Sequence, residues 1–354
     1  MIMAGSRSSA VAVAIVLLAA WHASAFRPLS NGAEQVDGHL ITMPEAAAKE
    51  KHPYTTPAGL FIQERASKQL PGPGQHFSFG ALVTWDRVHD VLRGLPNAKL
   101  IFLVRHGQAV SNFLSDSLGP DEWFKWETKC AYNDNNGTEW GIFDADLTSL
   151  GTAEAEALNS MLADGGWYKT LTAGEPTRAV VSPLSRCLET ATLALKGLPL
   201  TAYDVEENVR ETLGEDTCDA RRAASDPKGS DKEKLQGVCK FEQGLRSKFP
   251  DFSFPITTPV AGRRTGFGLL SDEDPLWTEE RETQGHQTKR ALQFLDDLWA
   301  FTPEKVAFVV THSGFTRSVL LAVGREPYRP QNTELVPLLV QRVVRSEEPQ
   351  AADK

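Results

Sequence analysis

The chain has 354 residues, enough for one large domain or two small ones. An apolar share of 41% and a charged share of 23% are those of an ordinary soluble globular protein. The formal net charge is −9 and no basic block stands out, which argues against a nucleic-acid partner. An anionic ligand would therefore have to be bound by local arginine and histidine side chains.

Residues 1–25 have the pattern of a cleavable signal peptide. Arg7 supplies the positive end, an apolar run follows from Ala10 to Trp21, and Ala23-Ser24-Ala25 fits the small-x-small cleavage site. The run is too short to span a bilayer comfortably. We therefore expect entry into the secretory pathway, as a secreted or endomembrane protein with no membrane span after cleavage.

The cleavage junction leaves a second destination open. Ala23-Ser24-Ala25-Phe26 resembles the Ala-Ser-Ala-Phe motif of bipartite plastid-targeting leaders in algae with secondary plastids. The following segment contains Glu34, Asp37, Glu45 and Glu50, whereas transit peptides are usually poor in acids. A plastid is thus the alternative address.

The rest of the chain divides by its patterning into an extension, one domain with two insertions, and a tail. Weak periodicity and several prolines predict a largely irregular extension with one short helix near residues 84–95. The expected divisions are 26–97 for the extension, 98–345 for the domain, 115–140 and 223–275 for its loop insertions, and 346–354 for a loose tail.

Apolar strands alternate with amphipathic helices through the predicted domain. The strands are expected at Leu100–Val104, Arg178–Val181, Leu200–Val205 and Lys305–Thr311, with a further edge strand at Leu335–Val344. The helices are expected at Thr152–Leu162, Pro183–Leu195, Thr278–Trp299 and Gly314–Val323. This alternation predicts a three-layer α/β/α sandwich with a mostly parallel central sheet.

Four cysteines are too few to hold together a disulfide-built fold of this length. Cys187 lies at the start of an apolar helix and is expected to be a buried small hydrophobe. Cys218 with Cys239, or Cys130 with either, could pair in an oxidising compartment, and the sequence does not choose among these pairs.

Aromatic residues concentrate in the first insertion. Trp123, Trp126 and Trp140 could line a pocket, although packing of the loop onto the core is the simpler role.

Three strand ends carry the residues expected to do chemistry. One strand stops at Arg105-His106-Gly107, another ends in His312, and a third leads through Ser182 into a helix that carries Arg186. Ligands of open α/β sheets bind at the carboxyl ends of the strands. Two guanidiniums can each offer a fork of donors to phosphoryl oxygens, a second imidazole adds another donor, and one histidine is left to attack.

These motifs resemble those of the histidine phosphatase superfamily, branch 1, the phosphoglycerate-mutase-like enzymes. Arg105-His106-Gly107 matches the signature, and Ser182-x-x-x-Arg186-x-x-x-Thr190-Ala191 matches the second-arginine motif. Thr311-His312-x-Gly314 and Leu147-Thr148-x-x-Gly151 match two more elements. The resemblance covers about residues 98–325.

The resemblance implies roles for the matched residues. His106 would attack phosphorus and carry a phosphoryl group, while Arg105, Arg186 and His312 bind its oxygens. Four further residues are expected to touch the phosphoryl group or the substrate, namely Gln108, Asn112, Ser313 and Gly314. No metal and no cofactor is implied, because the arginine pair supplies the positive charge.

The leaving group also needs a proton donor. The resemblance places a glutamate shortly after the third strand, which makes Glu211 the candidate. Nearby carboxylates are its rivals, namely Glu206, Glu207 and Glu215.

Residues 210–222 resemble more narrowly the phosphoglycerate-mutase-like proteins of plants and fungi. In that comparison Arg221 and Arg222 would reach a second anionic group of the substrate. The alternative is that they form ion pairs with nearby acids, namely Asp216, Asp219 or Asp226.

Departures from the family pattern favour hydrolysis over phosphate relocation. True mutases carry Glu-Ser-x-Trp-Asn after Arg-His-Gly, where this chain has Gln108-Ala-Val-Ser-Asn112. The sequence thus predicts a metal-independent phosphomonoester hydrolase acting on a small phosphorylated metabolite. A mutase-type phosphotransferase, a phosphoprotein phosphatase and an inactive phosphate-binding module are the alternatives. The sequence does not indicate an oligomeric state.

Overall fold

A computed structural model of the chain describes residues 53–64, 78–228, 239–257, 259 and 264–343. The predicted leader at 1–25 and the predicted tail at 346–354 lie outside the described residues. In the described ranges, no helix combines the length and the apolar character needed to cross a bilayer.

Eight strands lie in the described residues. They are Tyr54–Thr55 (β1), Ala98–Arg105 (β2), Ala131–Asn133 (β3), Glu139–Gly141 (β4), Thr177–Val181 (β5), Tyr203–Val205 (β6), Val306–Thr311 (β7) and Leu335–Arg342 (β8). The helices of the same ranges are Trp85–Gly94 (α1), Val110–Leu118 (α2), Pro120–Trp123 (α3), Ser149–Leu162 (α4), Trp167–Thr172 (α5), Ser185–Ala194 (α6), Leu245–Lys248 (α7), Gln284–Phe301 (α8) and Ser313–Ala322 (α9).

Six strands form one sheet in the order β1-β8-β2-β7-β5-β6. Strands β2, β7, β5 and β6 run parallel, while β8 is antiparallel to β2. Arg105 pairs with Thr311 and Val181 with Val310, so three strands end at the same edge. This register brings together the candidate catalytic residues that follow these strands.

Helices cover both faces of the sheet, which gives the predicted three-layer sandwich. Side chains of β2 alternate between two apolar cores, as the period of two requires. Leu100 and Phe102 pack with α1, α4 and α6, whereas Ile101 and Leu103 pack with α8 and α9. The central strand is buried on both sides, and this explains its continuous apolar sequence.

Several predicted elements differ from the structure at their ends; α4, for example, begins at Ser149 rather than Thr152, and β6 begins at Tyr203 rather than Leu200. Helix α8 begins at Gln284 rather than Thr278, because Thr283 caps it by accepting a hydrogen bond from the His286 amide at 3.2 Å. Helix α6 begins at Ser185, so Pro183 precedes its first turn. The strand predicted at the edge of the sheet is β8, and its predicted position is wrong, because β8 lies between β2 and the two-residue β1.

The first insertion has more regular structure than its sequence indicates. Residues 115–140 contain the end of α2, the short α3 and part of the β3–β4 hairpin. Trp123, Trp126 and Trp140 pack against an apolar cluster that includes Leu114 and Ile142. The three tryptophans therefore anchor the insertion, as the simpler expectation had it.

A disulfide joins the two insertions. Cys130 is bonded to Cys239, while Cys187 and Cys218 are free and buried. The backbone of Cys130 accepts hydrogen bonds from Ile142 and Phe143, so this link lies directly beside the loop that leads to α4.

Candidate active site

His106 lies just past the end of β2 with its ring fixed by a backbone carbonyl. Its Nδ1 is 2.7 Å from the Gly107 oxygen, and only 3% of the residue is exposed. A ring nitrogen that faces a carbonyl must carry the proton, so Nε2 presents a lone pair. Asn332 and Thr333 donate to the His106 carbonyl at 3.1 and 3.2 Å, which holds the turn in place.

His106 is neutral at physiological pH. Burial lowers its pKa well below the usual value, and the charges of Arg186 and Arg105 and the neighbouring His312 lower it further. A neutral imidazole with an unprotonated Nε2 is the form that can act as a nucleophile.

Arg186 projects from the first turn of α6 onto the same nitrogen. Its Nε lies 3.2 Å from His106 Nε2, while its terminal nitrogens donate to the Cys218 carbonyl at 2.5 Å and to Asp219 at 2.7 Å. Burial opposes its charge, but Asp219 raises its pKa. The guanidinium is therefore charged and held against the candidate nucleophile.

His312 faces His106 from the end of β7. The two ring centroids are 5.1 Å apart, and His312 Nε2 lies 2.8 Å from the Ser182 hydroxyl. Burial, followed by Arg186, lowers the pKa of His312 well below its ordinary value. The second histidine is thus also neutral and can donate only a single N–H.

Arg105 retains an unused donor. One terminal nitrogen donates to the Pro330 carbonyl at 3.0 Å, but its buried Nε has no hydrogen-bond partner among the described residues. Burial lowers the pKa of Arg105, which Glu211 opposes. An unpaired buried N–H beside two neutral imidazoles and a second guanidinium fits an anionic ligand.

Glu211 lies at the amino end of α9. One carboxylate oxygen accepts from the Gly314 amide at 3.1 Å and from the Ser313 hydroxyl at 3.5 Å, and the other accepts from the Thr212 amide at 2.9 Å. Burial raises its pKa, but these amides and the charges of Arg186 and Arg329 lower it to about 2. Glu211 is therefore ionised in the ligand-free site.

Two of the three rival carboxylates, Glu206 and Glu207, form ion pairs elsewhere. Glu207 pairs with Arg210 and Arg221, and Glu206 pairs with Arg264. Glu211 is the one of these that contacts the residues around His312.

Gln108 and Asn112 engage neighbouring protein groups. Gln108 Oε1 accepts from the Thr148 hydroxyl at 2.8 Å, and Asn112 Oδ1 accepts from the Ala109 amide at 3.1 Å, where it caps α2. These contacts hold the loop after His106 to α4 and α2.

Arg221 and Arg222 are not available to a substrate, which corrects the expectation drawn from the resemblance. Arg221 is 1% exposed, and its Nε and terminal nitrogens donate to Glu207 and to backbone carbonyls that include those of Asp272 and Glu273. Arg222 pairs with buried Asp144 at 2.7 Å. Both fix the second insertion, and neither pairs with the acids named as alternatives.

Three contributors were missed from the sequence. Asp219 orients Arg186. The Thr190 hydroxyl accepts a hydrogen bond from the Gly107 amide at 3.0 Å. The 330–334 loop holds Arg105 and His106 in place. Thr190 lies in the second-arginine motif, so its position in the sequence could have identified it as a residue of the site. No motif marks the loop before β8.

The match to a known family covers the part of the chain that carries Arg105-His106-Gly107 and Arg186. Residues 101–224 match the family model of the histidine phosphatase superfamily (branch 1). Phosphomutase-like protein 3 of Candida albicans is 27% identical over 269 residues, 75% of this chain and 72% of that protein. Phosphoglycerate mutase-like protein 1 of Arabidopsis thaliana is 28% identical over 260 residues, 66% of this chain and 74% of that protein.

Among solved structures, a mycobacterial glucosyl-3-phosphoglycerate phosphatase in complex with VO3 is similar to the chain. The two are 16% identical, and the alignment covers 63% of this chain and 81% of that one with a TM-score of 0.31.

Proposed function

The chain belongs to the histidine phosphatase superfamily, and we propose that it is a metal-independent phosphomonoester hydrolase working through a phosphohistidine on His106. The observation that carries the proposal is the hydrogen bond from His106 Nδ1 to the Gly107 carbonyl, 2.7 Å long. It leaves the Nε2 lone pair directed at the space beside Arg186.

In the first step His106 Nε2 forms a bond to phosphorus while the bond to the ester oxygen breaks. Arg105, Arg186 and His312 donate to the three peripheral oxygens, on which charge is spread in the transition state. The Arg186 N–H that faces the nitrogen lone pair turns to an oxygen once that lone pair is used. Positive side chains thus take the part that a metal ion has in other phosphatases.

Glu211 gives the leaving oxygen its proton. A bound phosphoryl dianion beside this carboxylate raises its pKa from the ligand-free value of about 2, so that it can hold a proton during the reaction. In the second step water attacks phosphorus, returns a proton to Glu211 and releases neutral His106.

Phosphate release should be measured with the full chain on a panel of small phosphate esters with EDTA present, wild type beside His106→Ala. We expect turnover that survives the chelator, is inhibited by vanadate and is lost in the variant. An acid-labile phosphoryl adduct on the peptide that contains His106 should be trapped. A requirement for added metal, or turnover that persists in His106→Ala, would contradict the mechanism.

A mutase-type phosphotransferase is the second candidate, because both relatives described above carry mutase or phosphomutase names. The two reactions differ in the fate of the phosphoryl group. Incubation with 3-phosphoglycerate, followed by phosphorus NMR, separates free phosphate from a phosphate that has moved to the neighbouring hydroxyl. We expect free phosphate.

We also propose that the chain enters the secretory pathway through residues 1–25. The Cys130–Cys239 disulfide supports this destination, because such bonds persist in oxidising compartments. Sequencing the amino terminus of the protein recovered from its native cells tests the proposal, with a new terminus at Phe26 expected. An intact Met1 would contradict it.

A further inference from the structure

The tip of the β3–β4 hairpin carries a sequence motif that the proposed reaction does not use. Asn136-Gly137-Thr138 has the form Asn-x-Thr, with a middle residue other than proline. This is the acceptor pattern of N-linked glycosylation, and it occurs once in the 354 residues. A pattern this short arises readily by chance, so its significance depends on where the fold places it.

The fold presents the motif on an exposed turn. The Gly137 amide donates to the Asp134 carbonyl at 3.1 Å, and Gly137 has a positive φ of 83°, as a three-residue hairpin loop closed by a bulge requires. Asp134 Oδ1 also accepts from the Asn136 and Thr138 amides at 2.8 and 2.9 Å. Asp134 thus fixes the backbone of the motif, all three residues of which are exposed.

The side chain of Asn136 has no structural role in the hairpin. In the described ranges it makes no hydrogen bond. The hairpin is anchored instead by Tyr132 and Trp140, which lie opposite each other on β3 and β4. Their rings pack against those of Trp126 and Phe113 at centroid distances of 5.0 and 5.1 Å. An oligosaccharide attached at the tip would therefore displace none of the packing that holds the hairpin.

Two other features of the chain fit the compartment in which this modification takes place. Residues 1–25 have the pattern of a signal peptide. Cys130, which directly precedes β3, is bonded to Cys239, and such bonds persist in the oxidising compartments that secreted proteins pass through. The hairpin that bears the motif therefore begins at a disulfide.

We propose that Asn136 is an N-glycosylation site, which receives an oligosaccharide from a lipid-linked diphosphate donor. Asn136 Nδ2 forms a bond to the anomeric carbon of the first sugar and releases one proton. The bond from that carbon to the diphosphate oxygen breaks, and the lipid diphosphate leaves with the electron pair. The inference rests on the proposed secretory entry and is independent of the reaction at His106.

The full chain, expressed in a eukaryotic secretory host, is compared before and after digestion with a peptide N-glycosidase. We expect one step in electrophoretic mobility, which corresponds to the loss of a single oligosaccharide. Mass spectrometry should then find Asn136 converted to aspartate by the enzyme. A mock digest without the glycosidase accounts for spontaneous deamidation, to which an asparagine before glycine is prone.

Four variants assign the oligosaccharide to this motif. Asn136→Gln and Thr138→Ala each remove an essential part of the acceptor and should abolish the mobility step, whereas Thr138→Ser retains the hydroxyl and should keep it. Asn135→Gln is the matched control, because it alters the same exposed turn outside the motif and should remain glycosylated. A mobility step that persists in Asn136→Gln would overturn the inference.

The amino terminus of the same wild-type sample separates this inference from the proposed secretory entry. An unmodified Asn136 in a chain that begins at Phe26 would show that the inference is wrong and that the entry stands. An unmodified Asn136 in a chain that retains Met1 would show that both are wrong.

Discussion

His106 and His312 lie side by side, and the pKa of each ring is lowered for the same reasons. Burial and the arginines around them lower the pKa of both rings, so both are neutral in the folded chain. In the unfolded chain a histidine takes up a proton below about pH 6.5. In the folded protein the buried rings do not take up this proton. Each ring therefore contributes to the stability of the fold above that pH, and the contribution is lost as the pH falls below it.

This linkage predicts the pH dependence of stability. Between pH 7 and pH 5 the free energy of unfolding should fall by up to about 1.4 kcal/mol per pH unit for each buried histidine. His312→Gln removes one of the two, so its stability should decline less steeply with acid. Urea unfolding at several pH values measures the slopes, and parallel slopes for wild type and variant would show that His312 is protonated in the fold.

The effect of replacing Glu211 should depend on how readily the leaving group departs without a proton. Glu211→Gln keeps the shape of the side chain but cannot deliver a proton, so turnover of an alkyl phosphate should fall about 10²–10⁴-fold. p-Nitrophenyl phosphate expels a stable phenolate and should be hydrolysed at nearly the wild-type rate.

Steady-state kinetics on both esters measures this contrast. Glu215→Gln serves as the control, because it is a rival carboxylate from the same segment. Equal losses on both esters for Glu211→Gln would mean that the residue positions α9 and does not transfer the proton.

We expect Asp219 to affect turnover indirectly, by holding the Arg186 guanidinium in position. Asp219→Asn retains an acceptor but removes the charge that holds the guanidinium 2.7 Å away. We expect kcat/KM to fall about tenfold and vanadate to bind less tightly, since a charge-assisted hydrogen bond is lost. Asp216→Asn is the matched control, because Asp216 pairs with Arg281 and not with Arg186. Similar losses in both variants would argue against orientation by Asp219.

Residues at strand ends were predictable, whereas the partners of arginines were not. Arg105, His106 and His312 follow apolar strands, and a parallel sheet brings such ends together. Nothing in the sequence around Arg221 shows that Glu207 lies within reach of its guanidinium. Pairing of a buried charge depends on the folded path of the second insertion, which local patterns do not specify.

Helix α4 approaches the candidate nucleophile by packing backbone against backbone. A Cβ on Gly151 would collide with the carbonyl oxygen of Gln108, and one on Gly107 with the carbonyl of Gly151. The Thr148 hydroxyl and amide also donate to Gln108. Gly151 of the Leu147–Gly151 motif therefore allows α4 to pack directly against the loop that follows His106.

Gly151→Ala tests that contact. The added methyl group forces the helix and the loop apart, so the free energy of unfolding should fall by about 1–3 kcal/mol and turnover should fall with it. Gly285→Ala in α8 is the matched control, because a Cβ there meets nothing within 4 Å. That variant should be neutral or stabilised by about 0.5–1 kcal/mol. Chemical denaturation measures both, and an unaffected Gly151→Ala would exclude the close contact.

The type of each element was easier to predict than its ends or its neighbours. The apolar period placed α8, but its start depends on Thr283 as a cap and on residues 278–282 pairing with Leu213 and Glu215. The sequence also indicated β8 as a strand. Its place beside β2 follows from long-range pairing that local composition cannot show.

At the scale of the molecule, the Cys130–Cys239 disulfide lies at the start of a chain of contacts that ends at Arg186. Thr217 donates from its amide to the Glu127 carbonyl at 2.9 Å and from its hydroxyl to the Lys129 carbonyl. The next two residues, Cys218 and Asp219, hold the guanidinium. The segment at 127–130 therefore supports Arg186, the proposed catalytic arginine, through Thr217, Cys218 and Asp219.

Loss of the disulfide should affect both stability and turnover. Cys130→Ser/Cys239→Ser removes a link across 109 residues, for which we expect a loss of about 2–5 kcal/mol in the free energy of unfolding. Turnover should fall because the support of Arg186 loosens. Reductant should reproduce the change in wild type and do nothing to the double variant. A fully active reduced protein would show that the insertion packs without the bond.

Strand β8 has a consequence for biosynthesis. It is among the last segments described, yet it pairs with β2 and its preceding loop bonds the backbone of His106. The pocket can therefore close only after the ribosome has released the chain through β8. Nascent chains stalled short of this strand should therefore be inert toward phosphate esters.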